Sequence, residues 1–204
     1  PGGQRIASPG NLHIEGDWSH AAFYLAAGAI GHGEIRLTGL DPHSAQGDRA
    51  MVEILRDMGA EIRWEGETLV SRASKLHGLR VDCAQVPDLV PILAVAMAAA
   101  EGESRITGAA RLRIKESDRL SAMAAALTAA GADVSELPDG LIICGGKRLH
   151  AAKIEGCNDH RIVMAMTMAS EIADGELMIT DAEATAKSAP AFWREFEHLG
   201  GLAR

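Results

Sequence analysis

Lys115, Glu116 and Arg119 stand close together in the segment Lys115-Glu116-Ser117-Asp118-Arg119, in a chain of 204 residues whose net charge is −8. Arg105, Arg111 and Arg113 crowd the same stretch, and gathering like charges costs free energy unless something anionic is to be held there. The segment runs into LSAMAAALTAAGA, which has strong helix propensity and is closed by Gly131. Cations and a carboxylate therefore stand at a helix start, where free N–H groups and the helix dipole already favour anions. That combination suits a small, multiply charged anion with an acid or base beside it. A solvated charged loop that caps a helix would read the same way. A second set, Asp159-His160-Arg161, again precedes an apolar run, and Lys187 lies in a loop before the last helical stretch.

The elements that must position these residues repeat along the chain. Asp17, Asp88 and Asp159 recur at equal intervals (17, 88, 159), each after a strand-like segment: LHIEG at 12–16, LRVDC at 79–83 and AKIEG at 152–156. Each then precedes an apolar helical run and a β-rich run, EIRLTGL, ESRITGA or ELMITDA. A polar cap and a second, amphipathic helix follow each time, with Gly59, Gly131 and Gly200 where a helix C-terminus takes a left-handed residue. Hairpins with Glu-Gly and Asp-Gly turns complete the first two copies, EIRWEGETLVSR and DVSELPDGLIICGG. The unit is β-α-β-α-β-β, used three times, with the third copy ending after its second helix. On this reading the equally spaced aspartates are helix caps in the first instance, and Asp17 is only that. Asp48 and Arg49, which match Asp118 and Arg119, are taken as structural.

Composition narrows the function classes. The acidic balance, with aromatics at 3% and none interleaved with the arginines, argues against a nucleic-acid surface. Cys83, Cys144 and Cys157 are isolated and fit a reduced cytosol better than a disulfide framework. The histidines form no HExxH or His/Cys cluster, so no metal is expected. Leu89 to Ala100 is too short for the ~20 residues of a membrane span. No signal peptide is apparent, and the opening PGGQRIASPG reads like a linker, so a piece of a longer protein is expected.

EGDWSHAAFYLAA at 15–27, SAQGD at 44–48, MGAEI at 58–62, Pro87-Asp88, KESDR at 115–119, NDHR at 158–161 and AKSAPAFW at 186–193 together resemble the enolpyruvyltransferase superfamily. Within it they most closely resemble the C-terminal domain of the 3-phosphoshikimate 1-carboxyvinyltransferase (EPSP synthase) family, with KESDR and NDHR the specific signals. The resemblance implies an α/β fold in which three β-α-β-α-β-β repeats, about 10–76, 77–149 and 150–204, form one domain of an inside-out α/β barrel. Residues 1–204 would be that single C-terminal domain, the N-terminal domain being absent.

The resemblance also implies a reaction. The carboxyvinyl group of phosphoenolpyruvate passes to the 5-hydroxyl of shikimate 3-phosphate and phosphate leaves, a step of the shikimate pathway to aromatic amino acids, with no cofactor. Carried over by position, Asp88 holds and deprotonates the shikimate hydroxyl, and Lys115 contacts the shikimate phosphate substrate or its attacking oxygen. Glu116 relays the proton to and from the methylene carbon. Arg119 and Arg161 clamp phosphoenolpyruvate, Lys187 neutralises phosphate in the transition state, and Asp159 and His160 support them, His160 by orienting Arg161 or Glu116. Arg111 stands where some members carry an Asn and is left out of the binding set. The lysine- and arginine-bearing segments, the glycine-rich loop and the Ser-Ser-Gln motif of the other domain do not occur here, so this chain alone is expected to be folded but inert. A bacterial, cytoplasmic enzyme, monomeric at full length, is implied. The alternatives are an enolpyruvyltransferase for a UDP-sugar, an RNA-phosphate-cyclase-like enzyme and a non-catalytic anion-binding module.

Overall fold

Three helices are buried along almost their whole length, and the rest of the molecule follows from where they must go. They are α1 (Trp18–Ile30), α3 (Val90–Ala99) and α5 (His160–Met168). In α3 every residue from Val90 to Ala98 is buried, and a helix that is apolar all round has to be surrounded by protein. The three pack on one another pairwise in the middle. The computed structural model describes residues 2–5 and 7–204.

Sheets cover this helical centre, so the barrel is turned inside out. The second repeat is complete: β4 (Arg80–Asp82), β5 (Gly102–Thr107), β6 (Asp133–Leu137) and β7 (Gly140–Gly145) pair in the order β4-β5-β7-β6. Its first pair is parallel and the other two antiparallel. The first repeat forms β1 (Glu34–Leu37), β2 (Glu61–Glu65) and β3 (Thr68–Arg72) in the order β1-β3-β2. The third forms only the parallel pair β8 (Leu149–Ile154) and β9 (Ala173–Ile179). Both expected hairpins are present, turning at Gly66 and at Asp139.

The second-layer helices α2 (Met51–Asp57), α4 (Arg119–Ala129) and α6 (Phe192–His198) follow the polar caps. Gly59, Gly131 and Gly200 all have positive φ where these helices stop. One hydrophobic cluster runs through all three repeats, with Trp18, Phe23, Leu25 and Phe192 among its largest members.

One expected element is not formed. Residues 12–16 were to be the leading strand of the first repeat, but among them only Gly16 bonds the β1 side of the sheet, its N–H donating to the Gly39 carbonyl at 2.7 Å. Leu12 and Ile14 are exposed. β4 and β8 each follow a paired hairpin that delivers them to their edge, whereas residues 12–16 are tied to the sheet by that single backbone bond. Ordering a segment without such an anchor costs about 1–2 kcal/mol per residue, more than two aliphatic side chains at an edge return. A cavity of about 530 Å³ remains between α1, β1 and α6. No described helix is long and apolar enough to cross a membrane.

Candidate active site

The three equally spaced aspartates do three different things. Asp17 caps α1, accepting from the N–H groups of Ser19 at 2.8 Å and His20 at 3.3 Å. Asp159 caps α5 through the Arg161 N–H at 2.9 Å, and is fully buried because it also holds Arg119. Asp88 caps nothing: it sits in a 3-10 turn, Pro87–Leu89, ahead of α3, and its carboxylate faces cations. The proline fixes the turn that carries it.

Arg119, the first residue of α4, is the hub. Its guanidinium grips Asp159 with two bonds, Nε to Oδ2 at 2.8 Å and Nη2 to Oδ1 at 3.1 Å. It also donates to Asp88 Oδ1 at 3.0 Å and to Glu116 Oε2 at 2.7 Å. It is 1% exposed. Four N–H donors are thus spent on three carboxylates. Of the three, Glu116 is the most exposed, at 42%, and so the most readily exchanged for the carboxylate or phosphate of a ligand.

Around this hub the other charges close in. Lys115 Nζ lies 3.5 Å from Asp88 Oδ1, and Arg161 Nη2 lies 3.6 Å from Asp88 Oδ2. Arg161 also donates to the Asp88 carbonyl at 3.1 Å, which ties the start of α5 to the turn before α3. Lys187 comes from a separate 3-10 turn, Ala182–Lys187, and reaches the cluster through Asn158, donating to its carbonyl and, at 2.9 Å, to its Oδ1. His160 is buried, but bonds neither Arg161 nor Glu116; its nearest carboxylate is Asp159, 3.9 Å from Nδ1. It packs beside the cluster and does not orient those groups.

The electrostatics follow from this crowding. Burial alone would raise the Asp88 carboxyl, but the charges of Arg161, Lys115 and Arg119 outweigh it and hold the group below its ordinary range. Asp159 is likewise raised by burial and then brought below its usual value by the bonds and charge of Arg119. Burial and Arg161 push the His160 imidazole down, against Asp159, so it is neutral at pH 7.

Six of the eight residues singled out from the sequence are thereby joined, Lys187 approaches them through Asn158, and His160 lies against them. All belong to the second and third repeats, seven of them at the starts of α3, α4 and α5 and Lys187 in the turn before α6; the 530 Å³ cavity is lined by none of them. Two further participants carried no assigned role in the sequence. Ser117 donates to Asp159 Oδ2 at 3.0 Å, and Asn158 holds Lys187. Both lie inside the KESDR and NDHR segments, which is the signal that could have found them. Arg113, by contrast, serves the sheet, bonding Asp118 at 2.9 Å and Glu136 at 2.7 Å.

A helical centre under three related sheets, with charged helix starts on one wall, defines an enolpyruvyltransferase-like α/β domain. The enolpyruvyl transferase NikO from Streptomyces tendae has this fold at a TM-score of 0.74 with 18% identity, over 94% of this chain and 44% of its own. EPSP synthase from Acinetobacter baumannii superimposes with a TM-score of 0.78 and 33% identity, over 91% of this chain and 46% of that one. The family EPSP synthase (3-phosphoshikimate 1-carboxyvinyltransferase) matches residues 1–196, and the chain belongs to it. Proteins named 3-phosphoshikimate 1-carboxyvinyltransferase from Clostridium novyi and Clostridium acetobutylicum are 42% and 46% identical over 98% and 92% of this chain. The chain spans about half their length, 46% and 43%.

Proposed function

We propose that residues 1–204 are the C-terminal half of an enzyme that transfers the carboxyvinyl group of phosphoenolpyruvate to the 5-hydroxyl of shikimate 3-phosphate. The observation that carries this is the cage in which Asp88, Glu116 and Asp159 share Lys115, Arg119 and Arg161. Such a cage can trade its own carboxylates for those of a ligand without ever leaving a guanidinium bare, which two polyanionic substrates require. Relatives sharing two-fifths or more of its residues carry that enzyme's name.

In this reading Arg161 and, once Glu116 swings away, Arg119 take the carboxylate and phosphate of phosphoenolpyruvate. Lys115 binds shikimate 3-phosphate. Asp88 accepts the proton of the attacking 5-hydroxyl. When the ligands draw Lys115 and Arg161 from Asp88, the cations that depress it are shared and its basicity rises towards the working range. Glu116, once released from Arg119, takes a proton from solvent and passes it to the methylene carbon as the oxygen attacks the neighbouring carbon. It takes one back as phosphate departs beside Lys187. Asp159 does not move protons; it keeps Arg119 in place from beneath.

The missing half supplies the remaining anion contacts and the lid that excludes water. The intact enzyme is a cytoplasmic bacterial monomer. Nuclear magnetic resonance of the chain titrated with phosphoenolpyruvate checks the donor half site. Shifts confined to Arg119, Arg161, Lys187 and their neighbours are the expected result, and a flat response at millimolar concentration removes the assignment.

A further inference from the structure

We propose that Asn158 is the positioning residue of Lys187, an assignment that rests on reading Lys187 as the cation beside the departing phosphate. Among the described residues three non-glycine residues have positive φ, Cys157 at 54°, Asn158 at 48° and Asp181 at 55°. They are not scattered along the fold but meet in one knot. Left-handed backbone crowds Cβ against a carbonyl and is tolerated best by Asn and Asp. Its persistence at three adjoining positions marks a place where surrounding structure enforces a geometry.

What it enforces is the approach of an ammonium group. Asp181 follows β9 by two residues and accepts the Asn158 N–H on Oδ2 at 2.9 Å. Asp181 also begins the 3-10 turn that ends at Lys187. One residue thus fixes both the donor's turn and the acceptor's backbone. With its amide tied back, Asn158 turns its carbonyl and its Oδ1 to the same side, and Lys187 Nζ donates to both. The next residue is Asp159, which caps α5 and grips Arg119. A path of two residues therefore sets the distance between the ammonium and the guanidinium cage.

The amide is also the right chemistry. A carboxylate in this place would hold Lys187 equally well and cancel its charge, whereas two neutral oxygens orient the ammonium and leave the charge for a ligand. Asn158→Asp therefore separates position from charge, and Asn158→Gly separates the turn from the grip, since glycine keeps the left-handed backbone but loses Oδ1.

The test is lysine-ammonium NMR on the 204-residue chain, with inorganic phosphate as probe. Lys187 is expected to give a more ordered ammonium signal than the exposed Lys75, to fall to the Lys75 level in Asn158→Gly and Asn158→Ala, and to stay ordered in Asn158→Asp. Phosphate affinity is expected to drop roughly tenfold in all three, the loss of one charge-assisted contact. An ammonium equally ordered in Asn158→Gly, or no more ordered than Lys75 in the parent, overturns the proposal. Should Asn158→Ala fail to fold, the glycine variant decides. If order depends on Asn158 while the parent Lys187 ignores phosphate, the positioning role stands and the phosphate reading of Lys187 falls.

Discussion

Arg119 and Arg161 look interchangeable in the sequence, each an arginine at a helix start, yet burial separates their roles. Removing Arg119 leaves Asp159, with no exposure, as an unpaired buried carboxylate. Arg119→Met should cost about 3–5 kcal/mol of stability, measured by denaturant unfolding. Arg161 leans on Asp88, which keeps Lys115, Arg119 and some contact with solvent. Arg161→Met should weaken phosphoenolpyruvate binding by roughly 1.5–3 kcal/mol with little change in melting temperature. His160 adds a pH signature. Its folded value lies below the ordinary 6.5, so the unfolded chain takes up the proton first and stability falls as pH drops below that value. His160→Gln should flatten this part of the stability–pH curve. The depressed Asp88 and Asp159 act lower down, their contribution being complete above the ordinary 3.8 and lost as pH falls through their folded values.

The elements carry these residues with unequal debt to local sequence. Asp17 is a cap and nothing more, so Asp17→Ala should cost about 1 kcal/mol of stability and leave phosphoenolpyruvate binding untouched, by thermal melting and titration. The equivalent change at Asp159 would do both kinds of harm, because that carboxylate caps α5 and anchors Arg119 at once. The hairpins were readable from Glu-Gly and Asp-Gly alone, since turn chemistry is local. The strand at 12–16 was not, because an edge strand forms only when something delivers it to a partner, and alternation of Leu12 and Ile14 says nothing about delivery.

For the molecule as a whole, the decisive feature is that the chain spans about half the length of the curated relatives it matches. On the reading proposed above the cage is half of a site, and a half site neither excludes water nor orients both reactants. The chain should therefore release no phosphate from phosphoenolpyruvate and shikimate 3-phosphate in a coupled assay. Turnover above background would mean that the cage is complete as it stands. The three cysteines fit this picture as bystanders: Cys83 is buried, its thiol pushed up to about 12 chiefly by burial, and Cys144 and Cys157 are exposed and unpaired.

The sequence alone determined the repeat, its β-α-β-α-β-β order and the helix stops at Gly59, Gly131 and Gly200, while Asp88, Glu116, Arg119, Arg161 and Lys187 were grouped only by what the family resemblance implies. The repeat, its order and the helix stops rest on spacing, turn chemistry and residue type, which are local properties. Only the tertiary structure decided which aspartate caps and which faces cations, that Arg119 is walled in by three carboxylates, and that Lys187 is held by Asn158. Those outcomes depend on which helix starts meet across the centre of the fold, and on how deeply each charge is buried when they do. A side chain's burial is set by residues far away in the chain, and neither its type nor its spacing records it.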